Sequence, residues 1–147
     1  MGEKQFLIRP AEEKDSSEIA ELVGLLGYSP DLEAIKRRVQ RISKSPVDLL
    51  IVAINPEHEV VGWLQAHSAA ILESGFRVEI VGMVVSPRNR RMGIGRVLVD
   101  EAVNWAKRIQ AESIVVRSNI NRRESHHFYA ALGFTNAKTQ HVYRRRS

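Results

Sequence analysis

The chain has 147 residues, 44% of them hydrophobic and 27% charged, with no cysteine and a formal net charge of +5. This length predicts one compact domain spanning 1–147, and the missing cysteines exclude disulfides, thiolate metal sites and cysteine-based covalent catalysis. No apolar stretch approaches the roughly 20 residues of a membrane-spanning helix, and residues 1–10 lack a signal-peptide pattern, so the expected location is the cytoplasm.

The chain opens with a short strand and an amphipathic helix. The strand is expected at Phe6–Arg9, closed by a proline. Apolar residues then recur at three- and four-residue spacing from Ile19 to Leu26, which is typical of a helix with one buried face. Asp15 or Ser16 is its expected N-cap, and a glycine ends it.

A second helix and a hairpin follow. The helix is expected to start at Pro30, with the proline just inside a cap, and to bury a stripe that runs to Ile42. Leu49–Ile54 and Val60–Ala66 are apolar strands separated by a polar turn, which predicts an antiparallel hairpin. A linker through Gly75 comes next.

The second half of the chain alternates strands and helices. Arg77–Val85 is the longest strand-like run, a helix starts at Gly93, and Ser113–Arg117 is the next strand. Glu124–Leu132 is a short helix and His141–Arg145 is a last strand-like piece. Because a meander precedes the central helix and a strand-helix-strand crossover follows, we expect a mixed sheet of the α/β or α+β class.

The loop before the central helix is rich in arginine and glycine. Its arginines, together with one in the helix start, are Arg88, Arg90, Arg91 and Arg96. Gly93 and Gly95 flank one residue at the helix start, where backbone amides lack partners inside the helix and the helix dipole favours an anion. This combination indicates a phosphate site, although a plain turn at the start of a helix would show the same glycines.

Other nucleotide-binding motifs and nucleic-acid binding are disfavoured. The dinucleotide fingerprint requires a third glycine where Leu98 stands, and no Gly-Lys-Ser/Thr follows as in a P-loop. The positive net charge could favour binding to nucleic acid, but such binding also uses exposed aromatic side chains. Aromatic residues make up only 6% of the chain and lie mainly in apolar stripes. A further cluster of basic residues is typical of a solvated tail and consists of Arg144, Arg145 and Arg146.

In the arginine loop and in a later segment, the sequence resembles the GNAT superfamily of acetyl-CoA-dependent N-acetyltransferases. Arg90, Gly93 and Gly95 match the family motif Arg/Gln-x-x-Gly-x-Gly/Ala after a strand. The segment 126–134 looks like the family's A-H-x-F-Y-x-x-x-G-F/Y, with Ser125 in place of the usual alanine. The resemblance covers 79–134 in the right order, whereas the first 70 residues match only in their pattern of elements.

The resemblance implies a GNAT-like mixed, V-splayed β-sheet flanked by about four helices, with acetyl-CoA as cosubstrate in the opening. Pyrophosphate would lie on the amides of the arginine loop, and pantetheine would run beside the preceding strand like an added strand. The cofactor-binding residues would be Met83, Val84, Val85, Arg90, Arg91, Met92, Gly93, Ile94, Gly95, Arg96 and Asn119. Asn119 could equally be a turn-former that closes a strand.

The same resemblance assigns the catalytic residues. Tyr129 matches the tyrosine that donates a proton to the departing thiolate, and its alternative role is a core aromatic. Glu79 matches the base glutamate of the histone acetyltransferase branch, and its alternative is a surface charge at a strand edge. Other relatives place a carboxylate two residues later, where this chain has Val81. His126 matches a structural position, with proton transfer as the alternative.

The histidines do not indicate a metal site. His126 and His127 are adjacent, so they point apart on a helix, and His58, His67 and His141 are isolated in the sequence. No metal is therefore expected.

The resemblance implies transfer of an acetyl group from acetyl-CoA to a primary amine of a small molecule or peptide, by direct attack in a ternary complex. Residues 119–129 look closest to bacterial enzymes that act on aminoglycosides or aminoalkylphosphonates. Acceptor specificity is expected in 24–45 and 69–75, and the strand at 141–145 could pair across a homodimer. The alternative is a non-catalytic module that senses acyl-CoA or binds nucleic acid. For the acetyltransferase we expect no nucleic-acid partner and no membrane partner.

Overall fold

The computed structural model describes residues 6–118 and 123–147 and divides the chain after Val116 into two compact units. The first unit contains β1 (Leu7–Pro10), α1 (Ser16–Gly24), α2 (Leu32–Ser43), β2 (Asp48–Ile54), β3 (Val60–Ile71), β4 (Gly75–Val85), α3 (Ile94–Arg108) and β5 (Ser113–Val116). The second unit contains α4 (Arg123–Ala131). That 1–147 acts as one domain stays a prediction.

The strands form one mixed sheet in the order β1-β2-β3-β4-β5. The first four strands are antiparallel neighbours, and β5 pairs parallel to β4. A parallel pair needs a crossover connection, and α3 supplies it. The predicted meander, the crossover and the mixed sheet with about four helices are confirmed.

Helices cover both faces of this sheet because side chains alternate along each strand. On one face α1 and α2 bury residues such as Ile19 and Val39 against Val52. On the other face α3 approaches β3 so closely that a Cβ atom at Gly62 would lie 3.4 Å from the Cδ1 atom of Leu98. Each fully buried valine or leucine contributes about 1.5–3 kcal/mol, so the two layers hold the sheet from both sides.

The helix starts differ from the sequence-based expectation. α2 begins after Asp31, whose carboxylate accepts a hydrogen bond from the Glu33 amide at 3.0 Å, so Pro30 lies before the cap and not inside it. Asp15 does occupy the N-cap of α1, but its side chain makes no capping bond there. Its carboxylate instead accepts hydrogen bonds from the Glu12 amide at 2.7 Å and from both terminal nitrogens of Arg9 at 2.8 and 2.9 Å.

The Arg9–Asp15 pair should make folding stability depend on pH. Burial alone would raise the pKa of Asp15, but the bonds from Arg9 and from the Glu12 amide outweigh it and hold the pKa below its ordinary 3.8. A carboxyl group whose pKa is lowered by folding stabilises the fold above its ordinary pKa, and this contribution is lost as the pH falls through the folded-state pKa. We therefore expect Asp15→Asn to lower the free energy of unfolding by about 1–3 kcal/mol at pH 7.

Urea unfolding of wild type and Asp15→Asn at pH 7 and at pH 3 checks this expectation. The difference between the two proteins should shrink at the lower pH, because the wild-type carboxyl group then begins to bind its proton. An equal difference at both pH values would contradict a charge-dependent role for Asp15.

Two expectations about the connections were wrong. The segment expected as a linker through Gly75 belongs mostly to β3, which continues to Ile71 in register with β4, so only a three-residue turn separates the strands. The expected last strand at 141–145 has no regular secondary structure. Val142 and Tyr143 are 83% and 90% exposed there, so the apolar residues that indicated a strand are not buried against a sheet.

Candidate functional site

The site begins where β4 ends and the chain turns into α3. The β4 strand stops at Val85, a short 3-10 turn spans Pro87–Asn89, and α3 starts at Ile94. The Asn89 amide donates to the Ser86 carbonyl at 2.9 Å, and its side chain contacts the Met92 sulfur at 3.7 Å. The loop is therefore tied to the strand that precedes it and to the residues that lead into the helix.

Backbone amides at the start of α3 are available to a ligand. Gly93 is the N-cap in the left-handed conformation (φ 80°), and no side chain caps the helix. The first bond back into the helix is donated by Val97 to the Gly93 carbonyl at 3.1 Å, so the amides of Gly95 and Arg96 precede it. Within the described part of the chain these two amides have no backbone acceptor, which fits an anion in front of the helix.

The loop conformation supports the same interpretation. Arg91 has φ 68°, an unusual value for a residue with a side chain, and Gly93 repeats the left-handed conformation two residues later. Backbone turns of changing hand direct successive amides into a concavity that suits an anion. A Cβ atom at Gly93 would meet no atom within 4 Å, so its glycine is required by the φ angle and not by crowding.

The arginines of the loop are exposed and unpaired with acids. Arg88, Arg90, Arg91 and Arg96 all lie at the surface. None of these guanidinium groups forms an ion pair with a described residue. They are therefore free to contact a phosphate group, alongside the helix-start amides.

One edge of β4 is open between this loop and the middle of the strand. β5 pairs with β4 only from Arg77 to Ile80, whereas β4 continues to Val85. The register between β3 and β4 shifts beside Gln65, leaving Val81 without a partner in β3. Among the described strands none covers the β4 edge from Met83 to Val85, so its backbone groups can pair with an extended ligand.

Glu79 lies in the buried half of β4. It is 8% exposed and sits on a central strand, paired to His67 of β3 and Val115 of β5, which excludes the surface charge at a strand edge. Its Oε1 atom lies 3.9 Å from the Nε2 atom of His67 and 3.8 Å from the Nη2 atom of Arg77. The carboxyl group is thus held in a polar cluster on the sheet face that α1 and α2 cover.

Sequence reasoning missed a close contact between β3 and β4 farther along the two strands. Trp63 of β3 packs over Gly82, where an added Cβ atom would lie 3.0 Å from the indole ring. Its buried Nε1 atom has no hydrogen-bond partner among the described residues. A glycine inside a strand can signal close approach of another group, but the sequence does not name that group.

The second unit carries Tyr129 on α4. The helix ends at Ala131 and is followed by a left-handed Gly133, and the Phe134 amide donates a hydrogen bond to the Tyr129 carbonyl at 3.0 Å. Phe128 and Phe134 contact the tyrosine ring edge-on, with centroids 5.0 and 5.7 Å away. Burial raises the pKa of the Tyr129 phenol, so the hydroxyl stays protonated at neutral pH.

One expected cofactor contact falls on residues that the structure does not describe, and the described residues hold neither a metal cluster nor a membrane-spanning helix. Asn119 falls outside the described residues. Within 6–118 and 123–147, no group of three or more histidine and acidic side chains could hold a metal ion. The helices of that same part of the chain are all too short or too polar to cross a membrane.

Comparison with known proteins gives one matching family. The profile described as Acetyltransferase (GNAT) family matches residues 18–134, which includes β4, the arginine loop, α3 and the Tyr129 helix. The comparison with curated protein sequences gives no match.

Several solved structures share the fold. A transcriptional regulator from Bacillus halodurans C-125 is 27% identical, with a TM-score of 0.86 over 95% of this chain and 99% of that chain. The aminoglycoside 6'-N-acetyltransferase AAC(6')-Ih from Acinetobacter baumannii is 20% identical, with a TM-score of 0.84 over 97% and 99%. The aminoglycoside N-acetyltransferase AAC(6')-Iy, in complex with CoA, is 18% identical, with a TM-score of 0.86 over 97% and 95%.

Proposed function

Because the chain belongs to the GNAT acetyltransferase family, we propose that it transfers an acetyl group from acetyl-CoA to a primary amine of a small molecule or peptide. In this proposal the amine attacks the thioester directly while both substrates are bound. Residues 1–147 act together as one acetyltransferase domain. The observation that carries the proposal is the anion site at the start of α3, next to the open edge of β4.

The proposed cofactor contacts follow from that geometry. The amides of Gly95 and Arg96 would hold the pyrophosphate, with help from the unpaired loop arginines. Backbone groups from Met83 to Val85 would pair with the pantetheine arm along the open edge. Asn119 is kept as a proposed further contact.

Two residues are proposed to transfer protons: one takes a proton from the attacking amine, and the other gives a proton to the departing thiolate. Acetyl-CoA supplies the thioester that is cleaved. Glu79 accepts the proton that the attacking amine must lose, directly or through water, and its burial keeps it away from competing solvent. Tyr129 donates a proton to the departing thiolate, for which its protonated phenol is the required form.

The acceptor class is proposed as small amines, with peptides as the second choice. AAC(6')-Iy has been captured with a bisubstrate analogue of CoA and acetylneamine, and AAC(6')-Ih is named as an aminoglycoside acetyltransferase. These likenesses show the fold, so the aminoglycoside class enters only as the first candidate to test.

An amine panel tests the proposal. Neamine, other aminoglycosides, an aminoalkylphosphonate and lysine-containing peptides would each be mixed with the protein and acetyl-CoA, and released free thiol would be measured. We expect acetyl-CoA to bind in calorimetric titration and at least one amine to release thiol above the rate without acceptor. Binding without turnover for every acceptor would contradict the proposed transfer.

A non-catalytic module is the second candidate function. One similar structure is named as a transcriptional regulator, so a protein that senses acyl-CoA or binds nucleic acid is the alternative. Calorimetric titration with oligonucleotides at two salt concentrations separates the candidates. Salt-dependent oligonucleotide binding together with the absence of amine turnover would favour the module.

Tyr129→Phe tests the proton donor. The substitution keeps the ring and its two edge-on contacts and removes only the hydroxyl. We expect kcat to fall by about tenfold, below the full range for acid catalysis because a thiolate is a tolerable leaving group, while acetyl-CoA binding is unchanged. Steady-state kinetics with the best amine of the panel checks this, and a wild-type kcat would assign Tyr129 to packing alone.

A further inference from the structure

His67 and Glu79 form a cross-strand pair that links a buried carboxyl group to the surface. They are direct partners in the register of β3 and β4, and the Nε2 and Oε1 atoms lie 3.9 Å apart. The Glu79 side chain is 10% exposed, whereas the His67 side chain is 43% exposed. The imidazole therefore contacts both the carboxyl group and the solvent.

Charged neighbours of the imidazole come from two strands. Asp48 of β2 is the register partner of His67 on the side away from Glu79. Arg77, two residues before Glu79 on β4, places its Nη2 atom 3.8 Å from the same Oε1 atom. The helices above this face bury apolar residues such as Ile19, Leu22 and Ile35, which carry no charge.

This arrangement addresses a requirement of the proposed reaction. A buried carboxyl group that takes a proton from the amine must lose it again before the next turnover. His67 lies against Glu79, has a side chain that can accept a proton, and reaches solvent with 43% of that side chain exposed.

We infer that His67 is the proton exit from Glu79, an inference that rests on the proposed acetyl transfer. One proton passes from the attacking amine to the Glu79 carboxylate, then to the Nε2 atom of neutral His67. The imidazolium releases a proton from its Nδ1 atom to solvent, which leaves the ring protonated on Nε2. Because the ring is partly exposed, water then takes the Nε2 proton and returns one to Nδ1, and this exchange restores the starting state of both groups. The 3.9 Å separation exceeds a hydrogen bond, and catalytic contacts of this kind shorten when substrates bind.

His67→Gln tests the proton exit because glutamine keeps polarity and approximate size but accepts no proton. We expect kcat to fall by about tenfold at pH 7, less than for loss of a direct general base because water can still accept part of the protons, with the KM for acetyl-CoA unchanged. The pH profile of kcat should also change in the variant, because glutamine removes the group that is proposed to take the proton from Glu79. Added imidazole buffer should restore at least half of the lost kcat, because it can take the proton in place of the side chain.

The measurements use the amine of the panel that the wild type acetylates fastest. His58→Asn is the matched control, since His58 is an exposed histidine in the β2–β3 turn with φ 65°, a conformation that asparagine tolerates. It should keep the wild-type kcat and pH profile. Thermal unfolding of each variant separates loss of fold from loss of proton transfer.

The outcomes distinguish the proton exit from the reaction itself. A His67→Gln variant with wild-type kcat and pH profile, or one whose loss imidazole does not repair, would overturn the role of His67 and leave the transfer intact. Absence of turnover in the wild type with every amine would overturn the transfer and the proton exit together.

Discussion

Glu79→Gln is expected to lower kcat by about 10²-fold or more at pH 7, the usual scale of general-base catalysis. An amine acceptor arrives mostly protonated near neutral pH, and the buried carboxylate is proposed to remove the proton that prevents attack. Glutamine keeps the size and hydrogen-bonding reach of the side chain and removes its basicity. Part of the loss should return at high pH, where free amine is abundant, while acetyl-CoA affinity should be unchanged.

Steady-state kinetics from pH 6 to 10, with the best amine of the panel, checks the expected profile. Glu57→Gln is the matched control, since it removes the same charge from an exposed glutamate in the β2–β3 turn. Glu79→Gln also removes the partner of Arg77, so thermal unfolding should accompany the kinetics. A variant with the wild-type rate and pH profile would show that the proton leaves through another group or through water.

Gly95→Glu is expected to weaken acetyl-CoA binding by about 10²-fold or more. Gly95 lies in the first turn of α3, where its amide precedes the first bonded amide of the helix. A glutamate there places a side chain and a negative charge where the pyrophosphate is proposed to bind. Each 1.4 kcal/mol of lost binding free energy is a tenfold change in Kd, and two charge-assisted hydrogen bonds contribute about 3–6 kcal/mol.

Calorimetric titration of acetyl-CoA into the variant measures this change. Asn104→Glu is the matched control, because it adds the same charge to an exposed position of α3 away from the helix start. The control should bind acetyl-CoA with the wild-type Kd. A folded Gly95→Glu variant with unchanged affinity would refute the placement of the cofactor site at this helix start.

The arginine loop and the helix after it could be predicted from the sequence. A strand end, clustered arginines and glycine at a helix start act over a few neighbouring residues, so their consequence is local. The structure shows the left-handed Gly93 at the N-cap and α3 beginning at Ile94. The family resemblance drawn from the same residues is confirmed by the family match over 18–134.

The strand ends and caps were predicted less well. Pro30 was expected inside α2, but the Asp31 carboxylate satisfies the Glu33 amide and fixes the start two residues later. The piece at 141–145 was expected as a strand, yet a strand forms only with a hydrogen-bonded partner, which the sequence of one segment cannot supply. The ends of helices and strands depend on which of several possible hydrogen-bond partners each backbone group meets in the folded chain.

The sequence by itself determined the order of the strands and helices of the sheet and the start of α3 after Gly93, where an anion is proposed to bind, because spacing, glycine and charge act between close neighbours. Only the tertiary structure decided that His67 lies beside Glu79 and that Trp63 covers Gly82. Those contacts depend on the register of β3 against β4, which shifts beside Gln65. Register is set by how both faces of the sheet pack, and a one-residue shift turns every following side chain to the opposite face.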